Sequence, residues 1–175
     1  LAEVSAEFLA NGDHVTRMLK EMGDELDRRL PPPGTGGNAF TLSSTLLPAT
    51  ATAESDCNAA VIALRCVILL IKLTGRYIER YLPQMMVLLA GSLRATNPPK
   101  VKIQGLQGWQ VLIKALSQHA PVQLGGVMHR IAVVLIAPLQ DTAHPGVVSL
   151  AAATIEELVM ICKRQHREKL RSLPP

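Results

Sequence analysis

The chain has 175 residues, enough for one ordinary domain with a real core. It is 48% hydrophobic and 18% charged, which excludes a chain disordered throughout. With 3% aromatics, the core has to come from Leu, Val, Ile, Ala and Met, a palette for helices packed on helices rather than for a β-sandwich. A net charge of +4 and a pI near 9.2 permit a nucleic-acid or acidic partner without requiring one.

"LAEVSAEFLA" and "DHVTRMLKEMGDELDRRL" read as two helices, a helical flank over 1–30. In the second, Val15, Met18, Leu19, Met22 and Leu26 repeat at helical spacing, with Asp13 placed to cap its start. "PPPGTGG" breaks the pattern, and residues 31–55, rich in Pro, Gly, Ser, Thr and Ala, read as a flexible linker. The Gly-rich piece is no phosphate loop, because it lacks a GK[ST] ending and no strand precedes it.

From 56 to 175 the spacing predicts a run of helices. Asp56 is placed to cap a helix from Cys57 to Thr74, which Gly75 closes in a left-handed conformation. Arg76 to Ala95 forms the next, with Pro83 as a first-turn start or a kink. Helices follow over Lys100–His119, Pro121–Leu139 and Pro145–Lys163, then a short basic helix, "RQHREKLRSL". The run "NAAVIALRCVILLIKLTG" is apolar enough to raise the question of a membrane span. Arg65 near its middle would cost roughly 2.5–3.5 kcal/mol there, so the expectation is a buried helix and no membrane. Only Asn58, Arg65 and Lys72 form a polar line along it, which predicts covering on most sides.

First-helix starts near Cys57, Lys100 and Pro145 recur every ~43–45 residues, inside the range of HEAT and armadillo units. "MMVLLAGSL" and "IAVVLIAPL" match in apolar spacing as second helices. Such pairs bury their apolar faces only by stacking. The expected fold is therefore all-α, a HEAT-like α-solenoid of stacked antiparallel helix pairs. Its expected core is Leu64, Ile68, Ile71, Met85, Leu88, Leu89, Leu106, Trp109, Leu112, Leu116, Ile131, Leu135 and Leu139. Trp109, the single tryptophan, lies mid-stripe between Ile103 and Leu116. Gly105 and Gly108 beside it leave room for a neighbouring helix, so a core role is preferred to base stacking.

No catalytic signature is found. Kinase loops and GxSxG are absent, and no metal or cofactor is expected. Cys162 and His166, at i and i+4, are too few for a closed zinc site. His119, His129 and His144 suit capping, packing or plain exposure. Cys57, Cys66 and Cys162 have no CxxC spacing and read as free thiols in a reducing compartment. The one charge cluster is Lys163, Arg164, Arg167, Lys169 and Arg171. It is expected first to solvate a helix end and complement its dipole, and second to contact DNA phosphate or an acidic surface.

The stretch from Asn58 to Pro175 resembles the UME domain of the helical-repeat N-terminal region of ATR-type checkpoint kinases, members of the phosphatidylinositol-3-kinase-related kinases. "ALRCVILLIKLTGRYIERYLPQMMVLLAGSL", "GWQVLIKALSQHAPVQLGGVMHRIAVVLIAPL" and "REKLRSLPP" carry the resemblance. Within them Leu73-Thr74-Gly75, Met85-Met86, Gly108-Trp109, Leu124-Gly125, His129 and Pro138-Leu139 stand at the family's ordered positions. The resemblance implies a nuclear serine/threonine kinase that answers DNA damage, with a partner subunit. In that parent this segment would be non-catalytic scaffold, with neighbouring repeats as its contacts and no small-molecule substrate. A chain that begins at Leu1 is expected to be a fragment of that parent. The competing expectations are a free-standing HEAT-type adaptor and a nucleic-acid-contacting helical module.

Overall fold

The computed structural model describes residues 12–29 and 49–171. Helix α1 spans Gly12–Arg29, α2 Ala49–Thr74, α3 Ile78–Ser92, α4 Pro99–His119, α5 Pro121–Ile136 and α6 Pro145–Arg171. Short 3-10 turns, Gly75–Tyr77 and Ala137–Gln140, follow α2 and α5. No strand occurs among the described residues, and the fold is an all-α helical repeat.

Local chemistry sets the breaks. Gly75 turns the chain out of α2 at φ +45°, a conformation that costs glycine no Cβ clash. Proline opens α4, α5 and α6, where its fixed φ suits a first turn and its missing N–H is not needed. At the end of α3, the Asn97 side-chain amide donates to the Gly91 and Ser92 carbonyls, both at 2.9 Å, satisfying acceptors the helix leaves open. Pro138 sits in the 3-10 turn that ends α5.

The helices form two layers. In the first, α4 lies between α2 and α6 and packs on both. The second comprises α1 on α2 and α3, α3 on α2 and α4, and α5 on α4 and α6; α3 and α5 hardly meet each other. Each first-layer helix buries the same i, i+4, i+7, i+11 stripe: Ala60, Leu64, Val67 and Ile71 in α2; Val101, Gly105, Gly108 and Leu112 in α4; Val147, Ala151, Thr154 and Leu158 in α6. This repeated stripe is the repeat unit in three dimensions.

Trp109 is fully buried, and its indole N–H has no acceptor among the described residues. A Cβ on Gly105 would collide with the Ser92 hydroxyl, and one on Gly108 would lie 2.5 Å from Leu89 Cδ2. The two glycines are what let α3 settle on α4. Leu64, Ile68, Ile71, Met85, Leu89, Leu106, Leu112, Leu116, Ile131 and Leu135 are buried, whereas Leu88 and Leu139 are half-buried. Leu88 faces the groove beside α1, and Leu139 lies in the 3-10 turn after α5.

Several boundaries differ from expectation. Residues 49–55, read as the end of the linker, form the first turns of α2, so Asp56 is an interior residue rather than a cap. There Asp56 accepts from the Arg29 guanidinium at 2.7 Å and ties α2 to α1. Asp13 falls inside the first turn of α1 instead of before it. The basic C-terminal stretch is not a separate helix. With no Gly or Pro from Lys163 to Arg171, α6 runs straight through it. Pro83 stands inside α3, whose start is set by the 3-10 turn at Gly75. Helix α2 is also less covered than its narrow polar line suggested, since Ile62, Leu69 and Leu73 are exposed beside Arg65 and Lys72. The expected helix over 1–10 and the linker over 31–48 lie outside the described residues.

Candidate functional site

The residue types that could carry chemistry are scattered. Among the described residues no group of three or more His, Cys, Asp or Glu is arranged to hold a metal ion. Cys162 is half-buried in α6, and burial pushes its thiol up, which keeps it protonated and a poor nucleophile or ligand. His166, one turn on, is exposed. His119 is exposed at the end of α4 and His129 midway along α5.

One polar node was not foreseen from the sequence. Lys102 lies on the first turn of α4 with its side chain only 6% exposed. Its ammonium donates to Asp141 Oδ2 at 2.7 Å and to the Ala95 carbonyl at 3.0 Å. Asp141 Oδ1 in turn meets His144 Nδ1 at 2.9 Å. The hydrogen bond from Lys102, then that from His144, holds the Asp141 carboxyl below the ordinary carboxylate range. A cleft of about 380 Å³, lined by Leu93, Ala95, Lys102, Pro138 and Asp141, separates the end of α3 from the turn after α5. Lys102 spans it, tying the loop before α4 to the loop before α6. No local signal announces a contact between residues so far apart in the chain.

The second stripe of α4 contains Lys102, Leu106, Trp109, Ile113 and Leu116, all buried. Lys102 shows where this stripe points: toward the loop that opens the next unit. The matching stripe of α6, aligned by its buried Val147 on Val101, is Val148, Ala152, Ile155, Val159 and Cys162. It is as apolar, yet Val148, Ile155 and Cys162 are only half-buried, Ala152 is exposed and Val159 is 44% exposed. Helix α5 behaves similarly, with Leu124, Ile131 and Leu135 inward and Val122, Val133 and Ile136 outward.

By length and composition alone, residues 54–92, 121–140 and 145–168 are apolar enough to cross a membrane. For the first stretch, burial against α1 and α4 accounts for much of that character. In the other two only 22% of the apolar window is buried, so α5 and α6 present an uncovered apolar surface. This surface and its rim form the candidate site.

The rim is cationic. Lys163, Arg164, Arg167 and Arg171 are exposed along the last turns of α6; Lys169 belongs to the same helix. The structure sets Arg164 across a groove from Lys114 of α4, together with Glu157 and Glu168. A second groove, between α2 and α4, brings Lys114 opposite Lys72. The sequence shows Lys72 only as part of a polar line and Lys114 not at all, because helices far apart in the chain bring them together.

The chain matches the family model described as the UME (NUC010) domain over residues 50–139, from the first turn of α2 to the 3-10 turn after α5. Helix α6 lies beyond the match, although the resemblance was expected to run to Pro175. No curated protein and no solved structure matches the chain.

Proposed function

We propose that this chain, which belongs to the UME (NUC010) domain family, is a non-catalytic helical-repeat scaffold of an ATR-like serine/threonine kinase in the nuclear DNA-damage checkpoint. The observation that supports this reading is the unequal covering of two equivalent helices. The second stripe of α4 is buried along its whole length, while the matching stripe of α6 is apolar and open. In a stack where each unit contacts only its neighbours, such a stripe takes another helix pair. The role of the segment is then to carry shape between flanking arms and to hold surface for a partner subunit, with the chemistry done elsewhere in the parent.

The test is a Val159→Asp change made both in the 175-residue chain and in the parent kinase. In the isolated chain, melting should be nearly unchanged, because the side chain meets water. In the parent, assembly or abundance should fall while activity per folded molecule stays normal. Normal assembly in the parent would refute the scaffold reading, as would phosphoryl transfer by the wild-type chain alone.

A further inference from the structure

Each first-layer helix carries an apolar residue and a nearby cation that the scaffold reading leaves unused. Leu69 and Lys72 on α2, Val111 and Lys114 on α4, and Met160 and Arg164 on α6 each set a cation one turn beyond an apolar residue. Three and four residues apart, the members of each pair share a helix face. Leu69 and Met160 are each 56% exposed, and Val111 is half-buried.

The groove between α2 and α4, about 390 Å³, brings Lys72 together with Val111 and Lys114. Ile71, Val111 and Ala115 give it apolar walls, and Lys72, Lys114, Gln118 and His119 supply donors. No carboxylate lines it, and neither Lys72 nor Lys114 has an ion-pair partner among the described residues. The neighbouring groove shares Lys114 and Gln118 but brings in Glu157 and Glu168, which repel carboxylates.

We propose that the α2–α4 groove is a docking site for an acidic polypeptide segment, with carboxylates on Lys72 and Lys114 and an aliphatic side chain against Val111 and Ala115. The charge of the groove selects a negative partner. Its apolar walls select a polypeptide over nucleic acid, which offers no aliphatic side chain to them. Tight nucleic-acid binding also rests on about 6–10 phosphate contacts, and this groove supplies two lysines. Adjacent helices lie about 8–10 Å apart, and every third residue of an extended peptide advances by about the same distance. An extended segment crossing the helices therefore meets one cation per helix.

The probe is a fluorescein-labelled peptide of repeating Glu-Leu-Glu, titrated with the full 175-residue chain and read by anisotropy. We expect saturable binding at physiological salt that falls about tenfold in Lys72→Ser/Lys114→Ser, two exposed changes whose folding is checked by thermal melting. Lys163→Ser/Arg167→Ser removes the same charge outside the groove and should leave the affinity unchanged. No saturable binding of the peptide would overturn the proposal, as would equal loss in both double variants. It would also fail if a DNA duplex or anionic vesicles bound more tightly than the peptide and lost that binding in Lys72→Ser/Lys114→Ser.

Discussion

Helix α4 buries both of its apolar stripes, whereas α6, with the same spacing, buries one. The sequences alone do not separate them, since each is a long helix opened by proline with aliphatic residues at matching intervals. What separates them is position. α4 has a first-layer helix on either side and packs on both α3 and α5, while α6 packs only toward the unit before it. Apolar periodicity therefore reports the capacity to be covered, and neighbours decide whether it is used. A residue's energetic weight follows the neighbours, which makes the contrast testable within one chain.

The largest effect is expected at the centre of the covered stripe. Trp109→Ala should destabilise the chain by about 3–5 kcal/mol, as for core aromatics generally, read from chemical denaturation. A cost below about 1 kcal/mol, typical of exposed positions, would erase the distinction between α4 and α6.

An intermediate effect concerns the Lys102–Asp141 node, the one charged contact inside the covered stripe. The folded state holds the Asp141 carboxyl below its ordinary pKa, so around and below that range the unfolded chain binds more protons. The contribution is present above the unfolded-state pKa and is lost as the pH falls through the folded one. Melting temperature should drop on acidification below about pH 4, the ordinary Asp range, and Lys102→Met should flatten that drop. An unchanged acid profile in the variant would show that the node does not couple to folding.

The smallest effect belongs to the open stripe. Val159→Ser should shift stability of the isolated chain by no more than about 0.5 kcal/mol, measured by thermal melting. A shift as large as that of Trp109→Ala would mean that α6 is covered too.

Much of this was legible from residues. Gly75 announced a left-handed turn because it follows a long apolar helix, and Trp109 announced a core position because it sits mid-stripe just after two glycines. The start of α2 was not legible. "ATATAES" has the Thr and Ser content of a linker, while its alanines are the strongest helix formers, and the helix prevailed. The continuity of α6 was masked by a change from apolar to basic residues, a change of surroundings rather than of backbone preference. The Lys72–Lys114 groove and the Lys102–Asp141 bond were beyond reach for a different reason. Each joins helices or loops from different units, and no local pattern encodes which helices become neighbours.

The two layers also differ as mechanical members. First-layer helices bear directly on one another, but α3 and α5 are separated by a cleft that a single ammonium–carboxylate bond crosses. Under tension or bending, such a stack yields at its weaker seam. A bend that opens the stack is expected to widen this cleft, with the Lys102 bonds to Ala95 and Asp141 as the strap across it. The compliance of the segment is then expected to concentrate at this joint, with a preferred direction away from the α3–α5 side.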